Sequence, residues 1–135
     1  MVTIDFKIHH LGYAVPDVQD GIETFSALGW TVDSEVTDDL SRNVRIVFLR
    51  KGPDVVELVA PLAKPNPIEK VLSVGVGAPY HICYEVDSLP DAERQLKSNK
   101  FMPFIRPAPA PALDGRRVEF LFNKEIGIIE LVERI

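Results

Sequence analysis

Two histidines and two glutamates occupy matching places in this sequence, and their types are those that bind a divalent metal ion. His10 and His81 lie in "HHLGYAV" and "YHICYEV", which alternate in the way that strands do. Glu57 comes 47 residues after His10, and Glu130 comes 49 residues after His81. Imidazole nitrogens and carboxylate oxygens together suit Ni, Co, Zn, Fe or Mn. Four such ligands would leave two octahedral positions for water or substrate, as a catalytic site requires.

The surroundings of the two glutamates support a shared role. Each stands in the middle of an apolar run, "DVVELVAPL" for Glu57 and "GIIELVERI" for Glu130. If the two halves pack about a pseudo-twofold axis, the carboxylates meet and repel, and a divalent cation would relieve that repulsion. The pattern therefore predicts a metal site made by His10, Glu57, His81 and Glu130. The alternatives for each residue alone are a packed core histidine and a solvent-facing glutamate.

The rest of the chain repeats together with these residues. "HLGYAVPDVQDGIETFSALGW" aligns with "HICYEVDSLPDAERQLKSNKF", and "NVRIVFLRKGPDVVELV" aligns with "RVEFLFNKEIGIIELV". Each copy indicates a strand, a helix and three further strands, which is a βαβββ module. We expect one domain over 1–135, made of modules at 7–60 and 79–133 with a linker at 61–78.

Local signals place the ends of these elements. Asp17 and Ser88 precede the two helical stretches and are candidate N-caps, each with an acidic residue three positions later. In the first module we expect strands near 29–36, 43–50 and 55–60. Pro67 is expected to open a short helix in the linker. The run "RPAPAPALDG" at 106–115 predicts an extended loop that either covers a site or is a plain surface excursion.

Composition excludes several classes of protein. The chain has 135 residues, 46% of them apolar, and a net charge of −5 without a basic stripe, which argues against nucleic acid and anionic membranes as partners. Cys83 is the single cysteine, so no internal disulfide can form, which fits a reducing compartment. "MVTIDFKIHH" lacks the apolar core of a signal segment. We therefore expect a cytoplasmic protein.

These motifs resemble the vicinal oxygen chelate superfamily, which includes glyoxalase I, methylmalonyl-CoA epimerase, fosfomycin-resistance enzymes, extradiol dioxygenases and bleomycin-binding proteins. The resemblance rests on "HHLGYAV", "VVELVAPL", "YHICYEV" and "IIELVE", and covers nearly the whole chain. It implies an α+β fold in which two βαβββ modules pair into an incomplete barrel around one metal ion. Carried over, the ligands are His10, Glu57, His81 and Glu130. The family also implies a homodimer that acts on a small molecule.

Among these proteins the sequence is most similar to bacterial glyoxalase I, also called lactoylglutathione lyase. That resemblance implies that a hemithioacetal of methylglyoxal becomes a lactoyl thioester by proton transfer through an ene-diolate. Glu130 is the expected base and Glu57 the other candidate, with Ni, Co or Zn as the metal. Ala14 and Pro61 depart from the glutathione-binding pattern, which has arginine and asparagine there.

Two alternatives remain open. The first is methylmalonyl-CoA epimerase, whose ligand at the position of Glu57 is usually glutamine. The catalytic glutamate of that enzyme aligns with Arg45, and an arginine stays protonated near neutral pH and cannot accept a proton from carbon. On that alignment we expect the glyoxalase reaction rather than epimerisation. The second alternative is a metal-free binding protein of the bleomycin-resistance type.

Overall fold

The computed structural model describes residues 5–135. Residues 1–4, which begin both the predicted 1–135 domain and the segment "MVTIDFKIHH", lie outside this range. The strands are β1 Lys7–Ala14, β2 Thr31–Val32, β3 Thr37–Asp39, β4 Val44–Lys51, β5 Asp54–Pro61, β6 Ala78–Val86, β7 Met102–Ala110, β8 Arg116–Asn123 and β9 Gly127–Glu133. The helices are α1 Val18–Ser26, α2 Glu69–Leu72 and α3 Leu89–Lys97, with a 3-10 turn at Pro111–Leu113. Within residues 5–135 no helix has the length and apolar character needed to cross a membrane.

Contacts divide the chain into two compact units. The N-terminal unit runs from His10 to Tyr80, and the C-terminal unit runs from His81 to Ile135 together with the described residues before His10. Strands of the N-terminal unit lie in the order β2-β4-β5-β1, with β3 also paired to β4. Strands of the C-terminal unit lie in the order β6-β9-β8-β7. The expected α+β class, with helices few and strands dominant, is confirmed.

In the N-terminal unit, α1 covers one face of the sheet. The helix begins where the Asp17 side chain accepts a hydrogen bond from the Asp20 backbone N–H at 2.9 Å, which confirms the predicted N-cap. Its apolar side packs on alternate residues of β4 and β5, and burial of those side chains is the main stabilising contribution. This core consists of Val15, Val18, Val47, Leu49, Val56, Leu58 and Ala60.

The C-terminal unit repeats this arrangement with α3. Ser88 is its N-cap, accepting from the Asp91 backbone N–H at 3.3 Å, again as predicted. The helix packs on the face of the sheet formed by alternate residues of β8 and β9. Its core consists of Val86, Leu89, Ala92, Leu96, Leu121, Ile129 and Leu131. Each unit therefore has a helix-covered face and an opposite face, and the candidate site residues lie on the latter.

Three local predictions need correction. The strand expected near 29–36 is only the two-residue β2, and a separate short strand, β3, follows it and pairs with a different part of β4. The run expected as a loop from residue 106 continues β7 as far as Ala110. Prolines are tolerated there because β7 is an edge strand, where a missing N–H costs no ladder bond. The linker helix has only four residues and begins after Ile68 rather than at Pro67.

Candidate metal centre

The N-terminal unit places His10 and Glu57 side by side. Strands β1 and β5 are parallel, and Gly12 is the register partner of Glu57. His10 stands two residues before Gly12 and so shares its face of the sheet. Because Gly12 has no side chain, the Glu57 carboxylate can reach past it, and Glu57 Oε1 lies 3.5 Å from His10 Nε2. Both side chains are buried.

The C-terminal unit makes the same pair by the same means. Strands β6 and β9 are parallel, and the small residue Cys83 is the register partner of Glu130. His81 stands two residues before Cys83 on the same face. Glu130 Oε1 lies 3.0 Å from His81 Nε2, and both side chains are buried. Burial of Cys83 itself fits a small packing residue rather than an accessible nucleophile.

An aromatic ring borders each imidazole, and sequence reasoning missed both rings. Phe48 is the cross-strand partner of Glu57, and its ring meets the His10 ring edge-on with centroids 5.3 Å apart. Phe120 is the cross-strand partner of Glu130 and meets the His81 ring edge-on at 5.8 Å. The signal was present in the repeat, because an aromatic precedes each glutamate across a predicted hairpin. Each half-site is thus a histidine, a glutamate and a phenylalanine.

The described chain therefore contains a set of buried donors of the kind that holds a divalent ion, namely His10, Glu57, His81 and Glu130. The donor chemistry fits such an ion, because each imidazole is accompanied by a carboxylate that brings negative charge into a buried position. Neutral imidazole and ionised carboxylate are also the protonation states that bind metals. The family expectation of a metal thus agrees with the residues present.

Arg45 does not lie where the alignment suggested. On β4 it is paired with Ala60, which belongs to the helix-covered core, whereas Phe48 is paired with Glu57 on the opposite face. The Arg45 side chain is 47% exposed and forms an ion pair with Asp38 of β3, with Nε–Oδ1 at 2.7 Å. This ion pair raises the pKa of Arg45 and lowers that of Asp38. Arg45 is therefore a surface residue outside the half-site, and its charge is no argument about the chemistry there.

A second buried carboxyl lies on the helix-covered face of the C-terminal unit. Glu119 is 1% exposed. Burial, and then a side-chain hydrogen bond with Glu93 of α3, raise the pKa of Glu119 to about 8. The side chain points away from His81, because the adjacent Phe120 points toward it. Glu119 thus belongs to the packing of α3 and not to the candidate site.

Charge is balanced on the site-bearing face of the C-terminal unit. Glu85, two pleats along β6 from His81, receives an ion pair from Arg116 at 2.5 Å and another from Arg134 at 3.2 Å. Arg116 is the main cause of the lowered pKa of Glu85, against which burial acts. These groups neutralise one another at the strand ends, apart from the His81–Glu130 pair.

Comparison with known proteins identifies the family. The sequence model of the Glyoxalase/Bleomycin resistance protein/Dioxygenase superfamily matches residues 9–120. The chain belongs to this superfamily. The match spans the His10–Glu57 half-site, His81 and Phe120, and the resemblance inferred from the sequence motifs is confirmed.

Curated members of the superfamily sharpen the comparison. The mitochondrial methylmalonyl-CoA epimerase of Mus musculus is 30% identical over 128 residues, which are 93% of this chain and 71% of the mouse protein. The ethylmalonyl-CoA/methylmalonyl-CoA epimerase of Cereibacter sphaeroides is 28% identical over 129 residues, 93% of this chain and 96% of that enzyme. Among solved structures, a hypothetical protein of Bacillus halodurans C-125 superposes with a TM-score of 0.84 at 26% identity, covering 97% of this chain and 96% of that one.

The expected glyoxalase reaction is wrong. The curated superfamily relatives that match at about 30% identity are epimerases of a CoA thioester and not lactoylglutathione lyases, which favours the epimerase alternative. The error had a physical origin, because the expected ligands of the two reactions differ only at Glu57, where the epimerase usually has glutamine, and the other argument against epimerisation rested on Arg45. That side chain lies on the helix-covered side of the sheet, so an arginine there does not exclude epimerisation.

Proposed function

We propose that this protein epimerises a 2-substituted malonyl-CoA thioester such as methylmalonyl-CoA. One observation carries the proposal: each of the two units has one buried carboxylate, set on the same face as a histidine and opposite a phenylalanine. Epimerisation removes a proton from one side of a carbon and returns a proton to the other side. A pair of equivalent carboxylates, one from each unit, suits that requirement. The names of the curated relatives support the same reaction.

His10, Glu57, His81 and Glu130 are proposed to hold one divalent ion, with Ni, Co or Zn as the candidates. The support is the donor set and its duplication, with one imidazole and one carboxylate from each unit. When bound, such an ion supplies Lewis-acid stabilisation of negative charge on the oxygens of the substrate. The buried, apolar positions of the four side chains strengthen every electrostatic interaction made there.

Proton transfer is assigned to Glu130 and Glu57. One carboxylate accepts the proton from the carbon between the carboxylate and thioester groups, and the electron pair of that C–H bond delocalises onto the thioester oxygen. The other glutamate, protonated, donates to the opposite side of the same carbon and restores a C–H bond. His81 and His10, 3.0 Å and 3.5 Å from these carboxylates, orient them. Both glutamates thus serve as ligand and as acid or base.

Deuterium exchange in heavy water tests this assignment. The metal-loaded protein should invert methylmalonyl-CoA and introduce deuterium at the inverted carbon. Glu130→Gln and Glu57→Gln should each abolish inversion, because an amide cannot act as the base. Each variant should still exchange deuterium into one enantiomer, and the two variants should prefer opposite enantiomers. The proposal is wrong if the wild-type protein inverts no such thioester, or if both variants exchange the same enantiomer.

Quaternary structure and location are proposed on narrower grounds. Membership of the superfamily supports a homodimer, and sedimentation at micromolar concentration tests it, since a strict monomer would contradict it. The single cysteine supports a reducing compartment, which for this protein is proposed to be the cytoplasm. Cell fractionation checks that location.

A further inference from the structure

The site-bearing face of the C-terminal unit continues from His81 to the surface as a row of large apolar side chains. Phe120 contacts the His81 ring, and the ring of Phe104 on β7 lies 6.3 Å from that of Phe120. Phe122, two residues beyond Phe120 on β8, shares its face, and Met102 is the cross-strand partner of Phe122. We call Met102, Phe104, Phe120 and Phe122 the aromatic strip.

The aromatic strip is exposed in an unusual way. Phe104 is 51% exposed, Phe122 46% and Met102 69%, although each is large and apolar. Contiguous apolar groups on a surface are costly to leave in water and commonly mark a binding surface. Here Phe104 is connected, ring to ring through Phe120, with a buried histidine of the candidate site, and Phe122 and Met102 lie on the same face of the sheet.

The N-terminal unit has no equivalent row among its described residues on this face of β4. Phe48, which borders His10, is buried, and the position that corresponds to Phe122 is Arg50, a charged residue that forms an ion pair with Asp33. The two half-sites therefore match at the histidine, glutamate and phenylalanine but differ beyond them. Among the described residues, only the C-terminal half-site adjoins a row of exposed apolar side chains. The two half-sites therefore differ in what can bind beside them.

We infer that the aromatic strip binds the pantetheine arm of the thioester substrate, an inference that rests on the proposed epimerase function. The arm of a CoA thioester is a flexible chain with apolar segments, and its sulfur end must reach the reacting carbon. A surface that begins at exposed Phe104 and ends at Phe120 against His81 has the required continuity. Adjacent aromatic rings supply a large apolar contact area. Glu130 is then the carboxylate on the thioester side.

The strand that carries Phe104 argues against a second protein chain as the occupant. β7 is the edge strand of its unit and contains Pro103, Pro107 and Pro109. Proline in an edge strand leaves its missing N–H toward solvent and blocks addition of another strand. The register of β7 against β8 is also irregular on both sides of Ile105. A small flexible ligand can use the side chains of this strand without pairing to its backbone.

Binding of propionyl-CoA, which carries the pantetheine arm but has no centre to invert, tests the inference separately from turnover. Phe104→Ala and Phe122→Ala should each weaken its calorimetric dissociation constant about tenfold. With methylmalonyl-CoA the same variants should raise KM by a similar factor and leave kcat within about twofold. Ile126→Ala is the matched control, because Ile126 is 66% exposed in the same unit but lies in the β8–β9 turn. It should bind as the wild-type protein does.

The outcomes separate this inference from the proposed function. Weakened propionyl-CoA binding in the Phe104 and Phe122 variants supports the strip, even if the wild-type protein inverts nothing and the epimerase proposal fails. Unchanged binding in both variants overturns the strip, even if the epimerase is active. A wild-type protein that does not bind propionyl-CoA overturns it as well. So does a Phe104→Ala variant that changes only the sedimentation coefficient, because the strip would then be a subunit contact.

Discussion

The two units contain the same histidine–glutamate–phenylalanine half-site, but the residues around it differ. In each, a histidine stands two residues before a small residue that faces a glutamate across parallel strands, and a phenylalanine faces that glutamate on the other side. Beyond this shared half-site the units diverge. Phe48 is buried, whereas Phe120 is half-buried and continues to Phe104. The positions that are the same in both units thus supply the candidate metal ligands. The positions that differ place an exposed apolar surface beside the C-terminal half-site only.

The largest effect is expected where the units agree most closely. His10→Ala and His81→Ala should each lose the bound divalent ion and reduce turnover by about a thousandfold or more, on the order of 4 kcal/mol in activation free energy. Elemental analysis of protein purified without chelator, together with an epimerase assay, measures both losses. Glu35→Gln is the control, since Glu35 is an exposed carboxylate outside the candidate site. Full metal retention in both the His10 and His81 variants would show that the duplication does not make a metal site.

Truncation of Phe48 and of Phe120 should lower the stability of the protein by different amounts. Phe48→Ala removes a buried ring and should cost about 3 kcal/mol in the free energy of unfolding. Phe120→Ala should cost about half as much, because its ring is already partly in water. Urea denaturation in the presence of chelator measures both values without a contribution from bound metal. Equal costs would mean that the exposed face beside Phe120 is covered in solution, for example by a second copy of the chain.

The helix-covered faces also differ at one position. Val47 precedes Phe48, and Glu119 precedes Phe120, so a buried valine in one unit corresponds to a buried carboxyl in the other. The pKa of Glu119 rises from 4.5 in an unfolded chain to about 8 in the folded protein. The folded state therefore holds more protons than the unfolded state between these values, and stability must fall as the pH rises through that window.

Glu119→Gln should remove this dependence. At pH 5 the variant and the wild-type protein should unfold at similar denaturant concentrations, because Glu119 is protonated in the folded state. At pH 8.5 the variant should be more stable by on the order of 2 kcal/mol, a discounted part of the full shift. The nearby groups are Glu93 and Lys97 of α3 and Arg117 of β8, and Glu93 has a lowered pKa of its own. Glu93→Gln is therefore measured alongside. A difference that does not depend on pH would contradict the assignment.

Much of this architecture was predictable from the sequence, and the reasons are local. The repeat predicted a first strand followed by a helix in each half, and the N-caps Asp17 and Ser88 carry their own hydrogen-bonding signal. The Pro/Ala run was misjudged because proline excludes a central strand but not an edge strand, and strand order is not a local property. The wrong reaction had a similar cause, since only the register with Ala60 shows which face Arg45 occupies.

The smallest effect is expected where the helices meet the two sheets. Gly21 of α1 and Ala92 of α3 each follow their histidine by 11 residues, and both are buried. A Cβ at Gly21 would lie 3.1 Å from Leu58 Cδ1 and 3.3 Å from Val15 Cγ2. Replacing a helical glycine by alanine gains about 1 kcal/mol in helix propensity, and relieving these close contacts costs a similar amount.

Gly21→Ala should therefore change the free energy of unfolding by less than about 0.5 kcal/mol, because the Leu58 methyl ends a side chain that can shift. Ala92→Gly, the reciprocal change, should cost about 1 kcal/mol or more, since it loses both helix propensity and a buried methyl group. Chemical denaturation of both variants makes the comparison. A loss above about 2 kcal/mol in Gly21→Ala would show that the side chains of β5 cannot shift to accommodate the added methyl group. A gain of about 1 kcal/mol would show that they accommodate it at no cost. Either result would mean that the two helices are held against their sheets differently, although their positions in the repeat are the same.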